Sequence, residues 1–89
     1  MFYIYSKKNE NTNSTFDRYF KSFNSAKECM LGEIESLKKV YGAAARCVRN
    51  TDRMNTEKGF YEFEQVWEIE TLNGKETMSF AIIDGYFED

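Results

Sequence analysis

The chain has 89 residues, 42% of them apolar and 17% aromatic, with a net charge of −3 and neither histidine nor proline. That length suits a single α+β domain over residues 1–89 with one modest core, and that apolar content argues against a disordered chain. Without histidine the commonest general base and metal ligand are gone, so a non-enzymatic binding protein with no cofactor and no metal is expected. No window approaches eighteen consecutive apolar residues, and the start MFYIYSKKN lacks the long apolar run of a signal peptide. A cytoplasmic protein with no membrane partner is the expectation. Cys29 and Cys47 form no CxxC pair and read as small buried hydrophobes in a reducing compartment. Frequent Asn, Lys, Phe and Tyr fit an AT-rich genome, such as that of a phage or mobile element.

In chain order, residues 2–6 read as a short aromatic strand and residues 7–15, KKNENTNST, as a polar loop. Residues 16–23, FDRYFKSF, read as a second strand, although Phe16, Tyr19, Phe20 and Phe23 also fit helical spacing. A helix then begins at Ser25, where S-x-x-E with Glu28 forms a capping box. Ala26, Cys29, Met30, Ile34, Leu37, Val40 and Tyr41 follow at spacings of three and four, as one apolar stripe. Lys38 and Lys39 suit the last turn and Gly42 the stop. Gly32 interrupts the helix, either for close approach to the sheet or as a tolerated cost. Residues 43–51 read as a strand and residues 52–59 as a charged loop. Two long strands, 60–72 and 75–87, flank Asn73-Gly74, a hairpin signal of the type I′ kind. The resulting order ββαβββ predicts an α+β fold, an antiparallel sheet of four to five strands with one helix packed on one face.

A two-residue turn at 73–74 would set Ile69 opposite Met78, Trp67 opposite Phe80 and Gln65 opposite Ile82. Those residues, with Tyr61 and Phe63, make an apolar face for the helix. The other face would carry Glu62, Glu64, Glu68 and Glu70, interrupted by Val66 with Ala81 opposite. Alternate glutamates diverge along a strand, which argues against Ca²⁺ and its converging oxygens.

Charge divides along the chain. Residues 1–58 hold eleven Lys and Arg against seven Asp and Glu, net +4; residues 59–89 hold one Lys against eight acids, net −7. The primary functional reading is therefore a small binding module or inhibitor. Its acidic face, Glu62, Glu64, Glu68 and Glu70, would dock on another protein with a basic, nucleic-acid-binding surface. A plainer reading sets Arg46, Arg49 and Arg53 in cross-strand pairs with those glutamates. Two further alternatives stand. One is an RNA- or DNA-binding module using Arg18, Lys21, Arg46, Arg49 and Arg53 with Lys7, Lys8 and Tyr19, and Tyr3, Tyr5 or Phe20 for stacking. The other is a homodimer paired through an exposed strand edge. The terminal GYFED adds Glu88 and Asp89 to the acidic half, and Tyr86 and Phe87 as core closure.

Overall fold

The computed structural model of the chain describes residues 2–55 and 60–85. Five strands form one antiparallel sheet: β1 (Phe2–Asn9), β2 (Ser14–Phe20), β3 (Ala45–Asn55), β4 (Phe60–Thr71) and β5 (Gly74–Gly85). One helix, α1 (Phe23–Tyr41), lies on one face, and a single 3-10 turn, Gly42–Ala44, leads into β3. The element order is ββαβββ, and the fold is α+β as expected. In space the strands run β2-β1-β5-β4-β3, so the first and last strands of the chain meet at the centre.

The β1–β2 loop is shorter than its polarity implies, because pairing continues to Asn9 and resumes at Ser14. Asn9 holds the turn, its side-chain oxygen accepting the N–H groups of Asn11 and Thr12 at 3.0 and 3.3 Å. Asn11 then reaches β5, its amide donating to the Lys75 carbonyl and accepting from the Thr77 N–H. The asparagines that look like loop filler therefore act as turn and sheet partners.

The helix is capped three residues earlier than expected. Ser22 is extended (φ −129°, ψ 149°), and its hydroxyl accepts the Ser25 N–H at 3.1 Å, so Ser22 is the N-cap in place of Ser25. Phe23 consequently belongs to the helix and not to the preceding strand. Its ring meets Tyr3 at 5.9 Å and Phe63 at 6.0 Å, both edge to face, which gives the helix an apolar anchor at its first turn. Ala26, Met30 and Ile34 are fully buried against Tyr5, Phe63, Trp67, Phe80 and Ile82, with Cys29 and Leu37 packed beside them. Each large side chain so buried contributes about 1.5–3 kcal/mol. The stripe ends there, since Val40 is 74% exposed and Tyr41 is also exposed. The helix ends at Gly42 (φ 54°), whose N–H bonds the Lys38 carbonyl. A Cβ on Gly32 would meet nothing within 4 Å, so that glycine serves no close approach.

Strand β3 absorbs Asp52 and Arg53, which read as loop in the sequence, because it stays paired with β4 as far as Asn55. Cys47 is exposed and not core: it sits on the edge strand beyond the helix, while Cys29 is half-buried. The β4–β5 register also differs from the expectation. Thr71 pairs with Gly74, so the turn residues are Leu72 and Asn73; Ile69 faces Glu76, Trp67 faces Met78 and Gln65 faces Phe80. Asn73 does not adopt positive φ, and Gly74 alone does at 117°. Thr71 closes the turn early, its hydroxyl accepting from the Asn73 N–H and donating to the Gly74 carbonyl. A slip of two residues leaves every side chain on its expected face. Tyr86, Phe87, Glu88 and Asp89 lie outside the described residues, as does the remainder, 56–59, of the loop expected over residues 52–59.

Candidate functional site

The sheet face turned away from α1 carries no second layer among the described residues, and it holds most of the charge. Its rows run across the strands. Asp17, Ser6, Ala81, Glu64 and Thr51 form one, and Thr15, Lys8, Ser79, Val66 and Arg49 the next. At the β2–β1–β5 side stand Tyr19, Ile4 and Ile83, with the Phe2 ring 5.6 Å from that of Tyr19. Tyr19 and Ile83 are exposed, whereas Val66 is only 9% exposed although no described element layers over it. A shallow concavity of about 370 Å³ lies between Arg49, Arg53, Glu62, Glu64, Ala81 and Ile83.

Glu62, Glu64, Glu68 and Glu70 do share this face, through strand alternation. They are not a bare acidic row. Arg53 Nε bonds Glu62 Oε2 at 3.2 Å, Arg49 Nη2 bonds Glu64 Oε1, and Arg46 Nη2 bonds Glu68 Oε2 at 3.2 Å. Lys75 adds a second cation 3.7 Å from Glu68, while Glu70 stays exposed with Lys75 opposite it in the ladder. Arg53 and Arg46 sit directly across from their partners; Arg49 faces Val66 and reaches diagonally to Glu64. The guanidinium side chains are 63–72% exposed and the three carboxylate side chains 25–33% exposed. The cations thus form an outer rim and the carboxylates an inner column beside the apolar strip.

One device that sequence spacing hides makes this possible. Arg46 and Arg49 are three residues apart, an odd step that should send them to opposite faces. A β-bulge between Cys47 and Arg49 resets the alternation, and the Cys47 thiol reaches the Arg49 carbonyl at 3.5 Å across it. Val48, the extra residue, is exposed.

The residues considered for nucleic acid are not gathered together. Arg46, Arg49 and Arg53 share the β3 edge. Arg18 is on the opposite edge and the opposite face, stacked 5.2 Å over Phe20, and Lys21 follows β2. Lys7 faces the helix and pairs with Glu33 at 3.6 Å, while Lys8 pairs with Glu10 at 3.5 Å. Tyr5 is 0% exposed and cannot stack on a base; Tyr3 packs on Phe23.

Under the helix lies a polar contact that sequence reasoning did not find. The Tyr5 hydroxyl donates to Glu33 Oε2, which also meets Lys7. Burial first, then the hydrogen bond and charge of Glu33, push the Tyr5 hydroxyl above the usual tyrosine range. The available signal was Glu33 inside the apolar stripe, next to the buried Ile34. Helix lysines also extend the core: Lys27 lies 5.1 Å from the Phe63 ring and Lys38 5.6 Å from the Trp67 ring. Among the described residues no three Cys, Asp or Glu side chains converge to hold a metal ion, and no helix is long and apolar enough to cross a membrane. Comparison with protein-family models, with curated proteins and with solved structures finds no significant match.

Proposed function

We propose that this chain is a non-enzymatic protein-binding module. Its uncovered sheet face docks on a partner that presents an apolar patch beside basic side chains. The observation that carries this reading is the adjacency of two features on one uncovered face: the strip Phe2, Ile4, Tyr19, Ile83 and Ala81, and the column Glu62, Glu64, Glu68 and Glu70. Protein interfaces combine an apolar, aromatic-rich centre with a polar rim. Glu64 engages Arg49 through Oε1 and Glu68 engages Arg46 through Oε2, and a carboxylate can accept about four hydrogen bonds, so acceptor capacity remains for a partner's cations. Over residues 60–85, six acids stand against the one lysine Lys75, a net −5 that supports steering of a basic partner toward the β4–β5 side.

The test is capture of a basic partner by the intact chain and by the triple variant Glu64→Lys, Glu68→Lys, Glu70→Lys, with folding of the variant verified by circular dichroism. The variant should lose the partner, and capture by the intact chain should weaken as salt rises. A folded variant that captures the same partner equally well overturns the proposal. Changing Tyr19→Ser should weaken the same capture by removing the aromatic anchor.

A further inference from the structure

We infer that the free edge of β3 is a second docking site, one that takes an extended acidic segment of a protein as a sixth strand. This site adjoins the carboxylate column through the Arg49–Glu64 and Arg53–Glu62 pairs, and it has the opposite charge preference. β3 is an outer strand of the sheet, eleven residues long, and no described element lies beyond it. An edge strand leaves a row of backbone N–H and C=O groups unpaired on its open side. Residues 46–50 and Asp52 and Arg53 are all exposed, so the approach is open.

The charges on this edge select what can pair with it. After the bulge, Arg49 and Arg53 stand on one face with Thr51 between them. Four residues of strand span about 13 Å, which is also the span from i to i+4 on an added strand. Arg49 meets Glu64 through Nη2 and Arg53 meets Glu62 through Nε, and a guanidinium has five N–H donors, so donors remain for a second carboxylate. The other face of β3 offers the neutral Asn50 and the acidic Asp52, and Asp52 would repel an acid at the position opposite it. The segment recognised is therefore acidic at i and i+4 and neutral between.

The same charges oppose two of the registers in which a second copy of this chain could pair with β3. An antiparallel twofold pairing of β3 centred on Thr51 sets Arg49 of one copy opposite Arg53 of the other. Centred on Asp52, it sets two aspartates opposite each other. Like charges directly opposite destabilise a strand pair. Edge β2 has no such preference: over Ser14–Phe20 it carries one acid and one base, Asp17 and Arg18, on opposite faces. A nucleic-acid strand would satisfy the arginines but not the open backbone N–H and C=O groups of the edge.

The experiment titrates the intact chain with a short peptide bearing glutamate at i and i+4 among threonine and valine. The controls are its lysine counterpart and an oligothymidylate, all at low salt. The glutamate peptide should bind at least about tenfold more tightly than either control, a difference of about 1.4 kcal/mol. Amide exchange should slow at residues 49–53 and stay unchanged in β2. Arg49→Gln with Arg53→Gln should remove the peptide's advantage while circular dichroism stays as in the parent chain. Equal binding of the lysine peptide, tighter binding of the oligonucleotide, no binding of the glutamate peptide, or protection appearing in β2 instead would each overturn the inference.

Discussion

Strand β4 presents two faces built from neighbouring residues, and they are held in different ways. Phe63, Trp67 and Ile69 point under the helix and are nearly inaccessible. Glu62, Glu64 and Glu68 point the other way and are held by arginines from β3. The first face is stabilised by removal of apolar area from water, about 1.5–3 kcal/mol for each large side chain. The second is stabilised by partly exposed ion pairs, each contributing about 0–1 kcal/mol. One strand thus separates stability from surface chemistry: the inner face carries the fold, and the outer face remains adjustable without unfolding it.

The largest expected break in this contrast is Trp67→Ala. It should cost about 3–5 kcal/mol in urea unfolding, since it removes a ring that packs in the core and carries Lys38 above it. Next is Tyr5→Phe, which removes a hydrogen bond to a carboxylate and should cost about 1.5–3 kcal/mol. The same variant tests a pH dependence. The Tyr5 hydroxyl is raised in the folded protein above its unfolded value of about 10, so its contribution is complete below that pH and is lost as pH rises beyond it. The parent chain should lose stability above pH about 10 more steeply than Tyr5→Phe, in urea unfolding across that range; equal slopes would contradict the assignment.

Smaller effects sharpen the comparison from the solvent side. Gly32→Ala should stabilise by up to about 1 kcal/mol, because a Cβ there meets nothing and an alanine lowers the cost of helix formation. Smallest is the coupling of Arg49 with Glu64. A double-mutant cycle with glutamine at both positions should give less than about 1 kcal/mol, falling further as salt is added. A coupling as large as the Trp67 effect would mean that the outer face holds the fold together as the inner one does.

Much of this arrangement was legible along the chain. Alternation in FYEFEQVWEIET assigned each side chain of β4 to its face, because the strand period is two and a register slip of two residues leaves it intact. The stripe Ala26, Met30, Ile34 located the helix face, and Gly42 its end. The helix start escaped because Ser22 and Ser25 both precede apolar residues, and only the extended backbone at Ser22 distinguishes the cap. The register escaped because Asn73-Gly74 suits more than one turn, and the Thr71 hydroxyl selects between them.

What the sequence by itself determined is therefore local and periodic: the elements, their order, and the two faces of each long strand. Tertiary structure alone decided which strands became neighbours. It set β1 beside β5 and left β2 and β3 at the edges. It also decided that the bulge at Val48 would bring Arg46 and Arg49 onto one face, where the glutamates become half of a charge ladder. The reason is physical. Periodicity acts between residues a few positions apart, whereas strand order and charge pairing join residues as far apart as Ile4 and Ile83, which meet only when the sheet closes around its core.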